Sequence, residues 1–190
     1  FTHQEESGVL ITTPAVLAEI KARLTGVDYG GELILADESV LPEDMLLALP
    51  GAHNRVNAAL AYEALRAVSL TDEEIFTAMA TFPGVEGRLQ LVRTIDHVRI
   101  YNDNNATTPA ATIAALEALD LGNQNIILIA GGADKGLDVT ELTQAINDHC
   151  KRVILTPGNG TDTLLAHLRE NSTIDCTTVD DLHAALVVAT

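Results

Sequence analysis

Tyr101-Asn102-Asp103-Asn104-Asn105-Ala106-Thr107-Thr108-Pro109-Ala110-Ala111-Thr112 is the stretch that decides the fold. The apolar run before it, Val98-Arg99-Ile100-Tyr101, has strand character, ends in a knot of small polar residues, and is followed directly by a predicted helix. Thr107 or Thr108 can cap that helix, and Pro109 suits its first turn, where a missing N–H loses no hydrogen bond. Free N–H groups and the positive end of the helix dipole then face the carboxyl end of the strand, where anionic ligands collect in open parallel sheets. Asp103 is expected at that mouth.

Outward from this junction the pattern repeats. Strands are predicted at Leu89 to Ile95, Val98 to Tyr101, Asn125 to Ala130 and Arg152 to Thr156, alternating with helices that start at Thr108, Val139 and Thr161; a final helix starts near Asp180. Such alternation predicts an α/β fold, a mainly parallel sheet with helices on both faces. Upstream, a strand at Gly8 to Thr12 leads into a helix opening at Thr13-Pro14, and a second strand, Glu32 to Ala36, follows a Tyr29-Gly30-Gly31 turn. Two helices come next, Arg55 to Val68 and Asp72 to Thr81, the second opened by Thr71 with Glu74 as a capping box. The Phe82 to Gly87 loop holds Pro83, Gly84 and Gly87 and reads as a hinge between a first segment, 1–86, and a second, 87–190.

Three further segments carry chemistry-bearing side chains. Asn54 and Asn57, three residues apart on one helical face, offer the paired donor and acceptor that a purine edge needs, although Asn54 can equally serve as a helix cap. Arg88 follows the Pro-Gly loop, and its guanidinium fork suits a phosphate or ribose; the plain alternative is a surface ion pair worth roughly 0 to 1 kcal/mol. Lys135 follows Gly131-Gly132 at the predicted carboxyl end of a buried strand, where it can hold a substrate carboxylate or simply be solvated. Gly158-Asn159-Gly160 closes the next strand in the same manner and is assigned no chemistry.

Taken together, four motifs resemble the Mur ligase family, most of all the branch that adds D-glutamate to UDP-N-acetylmuramoyl-L-alanine. Gly51-Ala52-His53-Asn54-Arg55-Val56-Asn57-Ala58-Ala59 is similar to GxHNxxNxxAA, Phe82 to Gln90 to the segment that carries an arginine, the opening stretch to NDSKATNP, and Gly131-Gly132-Ala133-Asp134-Lys135-Gly136 to GGxDKG. The resemblance implies a Rossmann-like C-terminal domain at 87–190 that accepts the amino acid, preceded at 1–86 by the C-terminal part of a P-loop-type central ATP-binding domain. It implies Asn54, Asn57, Arg88 and Asp103 on ATP, and Asn105, Thr107 and Lys135 around the acceptor. The implied activity is ATP-dependent amide ligation through an acyl phosphate, in the cytoplasm, as a step of peptidoglycan synthesis and so of cell-wall growth, shape and division. ATP and Mg2+ are the implied cofactors; the phosphate loop and magnesium ligands are expected upstream of this chain, so no catalytic residue is expected within it. The chain reads as incomplete at both ends, inactive alone, and a monomer.

Two departures bear on substrate choice. Asn105 stands where the family motif has lysine, which opens L-glutamate or another amino acid as acceptor, and also a non-catalytic nucleotide-binding module. Gly87 stands where the D-glutamate branch usually has histidine, and Gly-Arg resembles sister Mur ligases. A dinucleotide-dependent redox domain is the rival from another class, but GGADKG lacks the GxGxxG spacing that lets backbone approach a pyrophosphate.

The 190 residues carry 27 Asp plus Glu against 11 Lys plus Arg, a formal net charge of −16. That charge argues against nucleic acid or an anionic membrane as a partner, because counterion release needs a basic patch. Anionic ligands must then be held by local donors. The two cysteines and six histidines show no metal-ligand spacing, and no metal site is expected. No apolar run is long enough to span a bilayer, and the amino terminus lacks the charged and apolar regions of a signal peptide.

Overall fold

The computed structural model describes residues 7–24 and 30–189, so Tyr29 of the predicted turn lies outside the described residues. The chain divides into two compact units, Phe1–Gly84 and Val85–Thr190.

In the first unit, β1 (Val9–Thr12) pairs in parallel with β2 (Glu32–Leu35). Between them α1 (Pro14–Arg23) is capped by Thr13, whose hydroxyl accepts from the N–H of Val16 at 3.2 Å, with Pro14 at the first helical position. The helix α2 spans Ala52–Ala67 and α3 spans Asp72–Thr81. Thr71 and Glu74 close a full capping box on α3, as their spacing predicts. Helix α2 begins three residues earlier than the sequence predicts. Gly51 takes φ 104°, a turn that side-chain-bearing residues rarely make, and so starts the helix before Asn54. Ala36, Leu41 and Ala59 form the core of this unit, and the stacked rings of Tyr62 and Phe76, 5.4 Å between centroids, pack α2 on α3.

The second unit opens with β3 (Gln90–Ile95) and β4 (Val98–Asn102), which pair antiparallel. Asp96 and His97 both adopt positive φ, 47° and 68°, and form a two-residue hairpin turn. A connection that short joins only antiparallel neighbours, so this pair is the exception to the parallel order. Helix α4 (Pro109–Leu119) follows, capped by Thr108, whose hydroxyl accepts from the N–H of Ala111. The strands β5 (Ile126–Ala130), β6 (Cys150–Leu155) and β7 (Asp175–Thr178) form a parallel sheet in that order. They are linked by α5 (Thr140–His149) and α6 (Asn159–Asn171), and α7 (Leu182–Ala189) closes the described chain.

Ile146, Val153, Ile154 and Leu155 are wholly buried. Each such side chain contributes about 1.5–3 kcal/mol of burial relative to exposure, which makes β6 the centre of the unit. The strand β7 is absent from the sequence expectation. Its residues Asp-Cys-Thr-Thr carry no apolar run, and it is held instead by its ladder on β6 and by Arg152, whose Nε lies 2.8 Å from Asp175 Oδ2.

Candidate functional site

The polar knot after β4 is tied to the segment that carries Arg88. One carboxylate oxygen of Asp103 accepts from the backbone N–H of Leu89 at 2.9 Å. The N–H of Asn105 donates to the carbonyl of Gly87 at 3.0 Å, and its side-chain amide donates to the carbonyl of Glu86 at 2.9 Å. The side chain of Gln90 in turn accepts from the N–H of Gly87 at 3.2 Å. Gly87 is buried with φ 73°, and a methyl group there would overlap the side-chain oxygen of Asn104. Glycine in place of the histidine usual in the D-glutamate branch is thus matched to its neighbour across the knot. The structure brings Arg88, Asp103 and Asn105 together, with Asp103 half-buried and the guanidinium of Arg88 exposed and unpaired among the described residues. Thr107 is exposed, and its N–H donates to the carbonyl of Asn105.

Lys135 sits on the loop that leaves the carboxyl end of β5. No hydrogen bond joins that loop to residues 103–108 among the described residues. The Lys135 side chain is exposed, with no hydrogen bond or ion pair among the described residues, while the loop around it is fixed to the start of α6.

In the first unit, Asn54 and Asn57 are linked to each other. The amide of Asn57 donates to Asn54 Oδ1 at 3.3 Å, and that of Asn54 donates to the carbonyl of Pro50 at 2.8 Å. Asn54 therefore lies in the first turn of α2 and braces the turn before it, while Asn57 is exposed one turn on. Sequence reasoning missed Arg55. Its guanidinium donates to the carbonyls of Met45, at 3.2 Å, and Pro42, at 3.1 Å, and so pins the 42–45 loop to α2. The GxHNxxN motif thereby orders its own surroundings as well as presenting amides.

Among the described residues, no three His, Cys, Asp or Glu side chains are grouped to hold a metal ion. Within the second unit, the Arg88 guanidinium is free and one oxygen of the Asp103 carboxylate has no partner among the described residues. No described helix is long and apolar enough to cross a membrane.

The second unit is an α/β domain in which β4 and β5 each lead through a polar loop into a helix, with β5, β6 and β7 forming its parallel sheet. The chain belongs to the Mur ligase family: residues 87–190 match the family described as "Mur ligase, glutamate ligase domain". It is 43% identical over 143 residues to the UDP-N-acetylmuramoylalanine--D-glutamate ligase of Roseiflexus sp. (strain RS-1), covering 74% of this chain and 30% of that protein. It is 34% identical over 143 residues to the ligase of the same name from Lacticaseibacillus paracasei, covering 75% of this chain and 30% of that protein. A crystal structure of MurF from Acinetobacter baumannii matches 98% of this chain and 46% of its own, with a TM-score of 0.71 at 17% identity, which speaks to fold alone. The chain spans about 30% of the length of these curated relatives.

Proposed function

We propose that this chain is part of a longer ATP-dependent ligase that joins glutamate to UDP-N-acetylmuramoyl-L-alanine in the cytoplasm, a step of peptidoglycan synthesis. The observation that carries the reading is the knot in which Asp103 holds the residue next to Arg88. It sits in the segment that matches the family, and the relatives above are named for that reaction.

ATP supplies a phosphoryl group that the substrate carboxylate takes up with release of ADP. The amine of glutamate then attacks the acyl carbon, phosphate leaves, and the amine sheds a proton. Within this chain, the guanidinium of Arg88 neutralises phosphate or ribose oxygens, and the open oxygen of Asp103 accepts from a ribose hydroxyl. Asn54 and Asn57 offer donors and acceptors to the base. Lys135 and Thr107 hold the incoming acid through a point charge and a hydroxyl, with Asn105 shaping the turn that carries Thr107. Mg2+ would be held by residues outside this chain, and the protein works as a monomer.

Phosphate release by the full-length enzyme, given UDP-N-acetylmuramoyl-L-alanine and D-glutamate, L-glutamate or another amino acid in turn, tests the reading. D-glutamate is expected to drive turnover best. Turnover with L-glutamate alone would move the acceptor assignment to Asn105, and no amino-acid-dependent release with any acceptor would end the ligase reading.

A further inference from the structure

The Gly158-Asn159-Gly160 turn and the first turns of α6 hold the Lys135 loop. Asn159 Oδ1 accepts from the N–H of Asp134 at 2.8 Å. The N–H of Gly160 donates to the carbonyl of Gly132 at 3.0 Å. One oxygen of the Asp134 carboxylate accepts from the N–H of Gly136 at 2.8 Å, and the other accepts from the Thr163 hydroxyl, one turn further along α6, at 3.3 Å. Residues 132, 134 and 136 each take part in these bonds, and Lys135, exposed and with no side-chain partner among the described residues, lies between the last two.

The approach is too close for side chains at the glycines. A methyl group at Gly158 would overlap the carbonyl of Gly132, and one at Gly160 would lie 3.0 Å from backbone atoms of Ala133 and Asp134. Two glycines bring the α6 turn against the loop, and Asn159 between them supplies the bond that the contact makes available. Because Asn159 is the first residue of α6, the loop is referred to a rigid element whose Leu164 and Leu168 are core residues.

We propose that Asn159 is a positioning residue: acting through the backbone of Asp134, with Thr163 as its second anchor, it aims the Lys135 ammonium at the carboxylate of the amino-acid acceptor. The inference rests on Lys135 being the acceptor contact proposed above, and it assigns to the α6 turn a part in acceptor affinity with none in holding ATP. Freed from Asn159, the loop keeps its lysine but no longer presents it in one place.

The test is steady-state kinetics of the full-length enzyme. Asn159→Ala is expected to raise KM for the amino acid roughly 10- to 100-fold, the scale of misplacing a binding group by about 1 Å, with KM for ATP unchanged. Asn159→Asp keeps an oxygen acceptor at a helix N-terminus that favours negative charge, and it is expected to recover most of the loss. If Lys135→Ala raises the acceptor KM but Asn159→Ala does not, or if Asn159→Ala raises both KM values alike, the positioning role is overturned and the Lys135 reading survives. If Lys135→Ala itself leaves the acceptor KM unmoved, both fall. Should Asn159→Ala not fold, Thr163→Val removes the second anchor at a half-buried position of α6 with a side chain of nearly the same shape, and an unchanged acceptor KM in that variant overturns the proposal.

Discussion

Asp103 and Leu89, fourteen residues apart, are joined by a 2.9 Å hydrogen bond from the backbone N–H of Leu89 to the Asp103 carboxylate. Leu89 is 4% exposed and held at φ 40°, so its N–H has no ready alternative in water. The carboxylate proposed to meet a ribose hydroxyl is therefore also the brace for the backbone beside Arg88.

That double duty separates two substitutions. Asp103→Ala leaves a buried N–H unsatisfied, at about 1–3 kcal/mol, and is expected to lower the thermal midpoint while weakening ATP binding. Asp103→Asn keeps an oxygen for Leu89 but loses the charge, so stability should return without full ATP affinity. Thermal melts beside titration with a fluorescent ATP analogue read both. Equal ATP affinity in wild type and Asp103→Asn would remove the charge from the binding argument.

Gly87→His installs the residue usual in the D-glutamate branch at a position of φ 73° whose space Asn104 already fills. Backbone strain of this kind costs of order 1–3 kcal/mol. The single variant should be destabilised on that scale in a urea melt, and adding Asn104→Gly should recover part of the loss by clearing the overlap. A fully additive double mutant would show that the two sites do not share space.

Asn105→Ala distinguishes a brace from a substrate contact. Loss of the amide bond to the Glu86 carbonyl is expected to cost about 0.5–1.5 kcal/mol, with the backbone bond to Gly87 remaining. If the side chain instead meets the acceptor directly, stability stays put and the acceptor KM alone rises. Differential scanning fluorimetry run beside acceptor kinetics tells these apart.

Acid should find a weak point far from the site, at the end of α4. His149 Nδ1 lies 2.7 Å from Asp120 Oδ2, and this bond holds the Asp120 carboxyl below its ordinary value against the opposing effect of burial, with help from the N–H groups of Gly122 and Asn123. A folded pKa below the unfolded value of about 3.9 means that the unfolded chain takes up its proton first as pH falls. The stabilisation is whole above about pH 4 and is lost as pH drops through the folded pKa. Urea melts of wild type and Asp120→Asn between about pH 6 and 3 should converge on acidification; a constant gap across that range would refute the assignment.

What could be read along the chain was local. Thr13, Thr108 with Pro109, and Thr71 with Glu74 close helices through bonds that span three residues, and the apolar runs of β5 and β6 declare buried strands, so the α/β order follows from neighbours in sequence. The same short-range logic placed Asp103 and Lys135 at strand ends. Packing alone decided where the polar atoms were committed: Asp103 to Leu89, Asn105 to Glu86 nineteen residues away, Asn159 to Asp134 twenty-five away. Packing also made a strand of Asp175–Thr178, which has little of its own to bury, by setting it against β6. An asparagine or aspartate carries no signal of which distant N–H or carbonyl it will meet. That choice follows from the approach of two loops, which depends on glycines at the contact and on the helices and strands behind them.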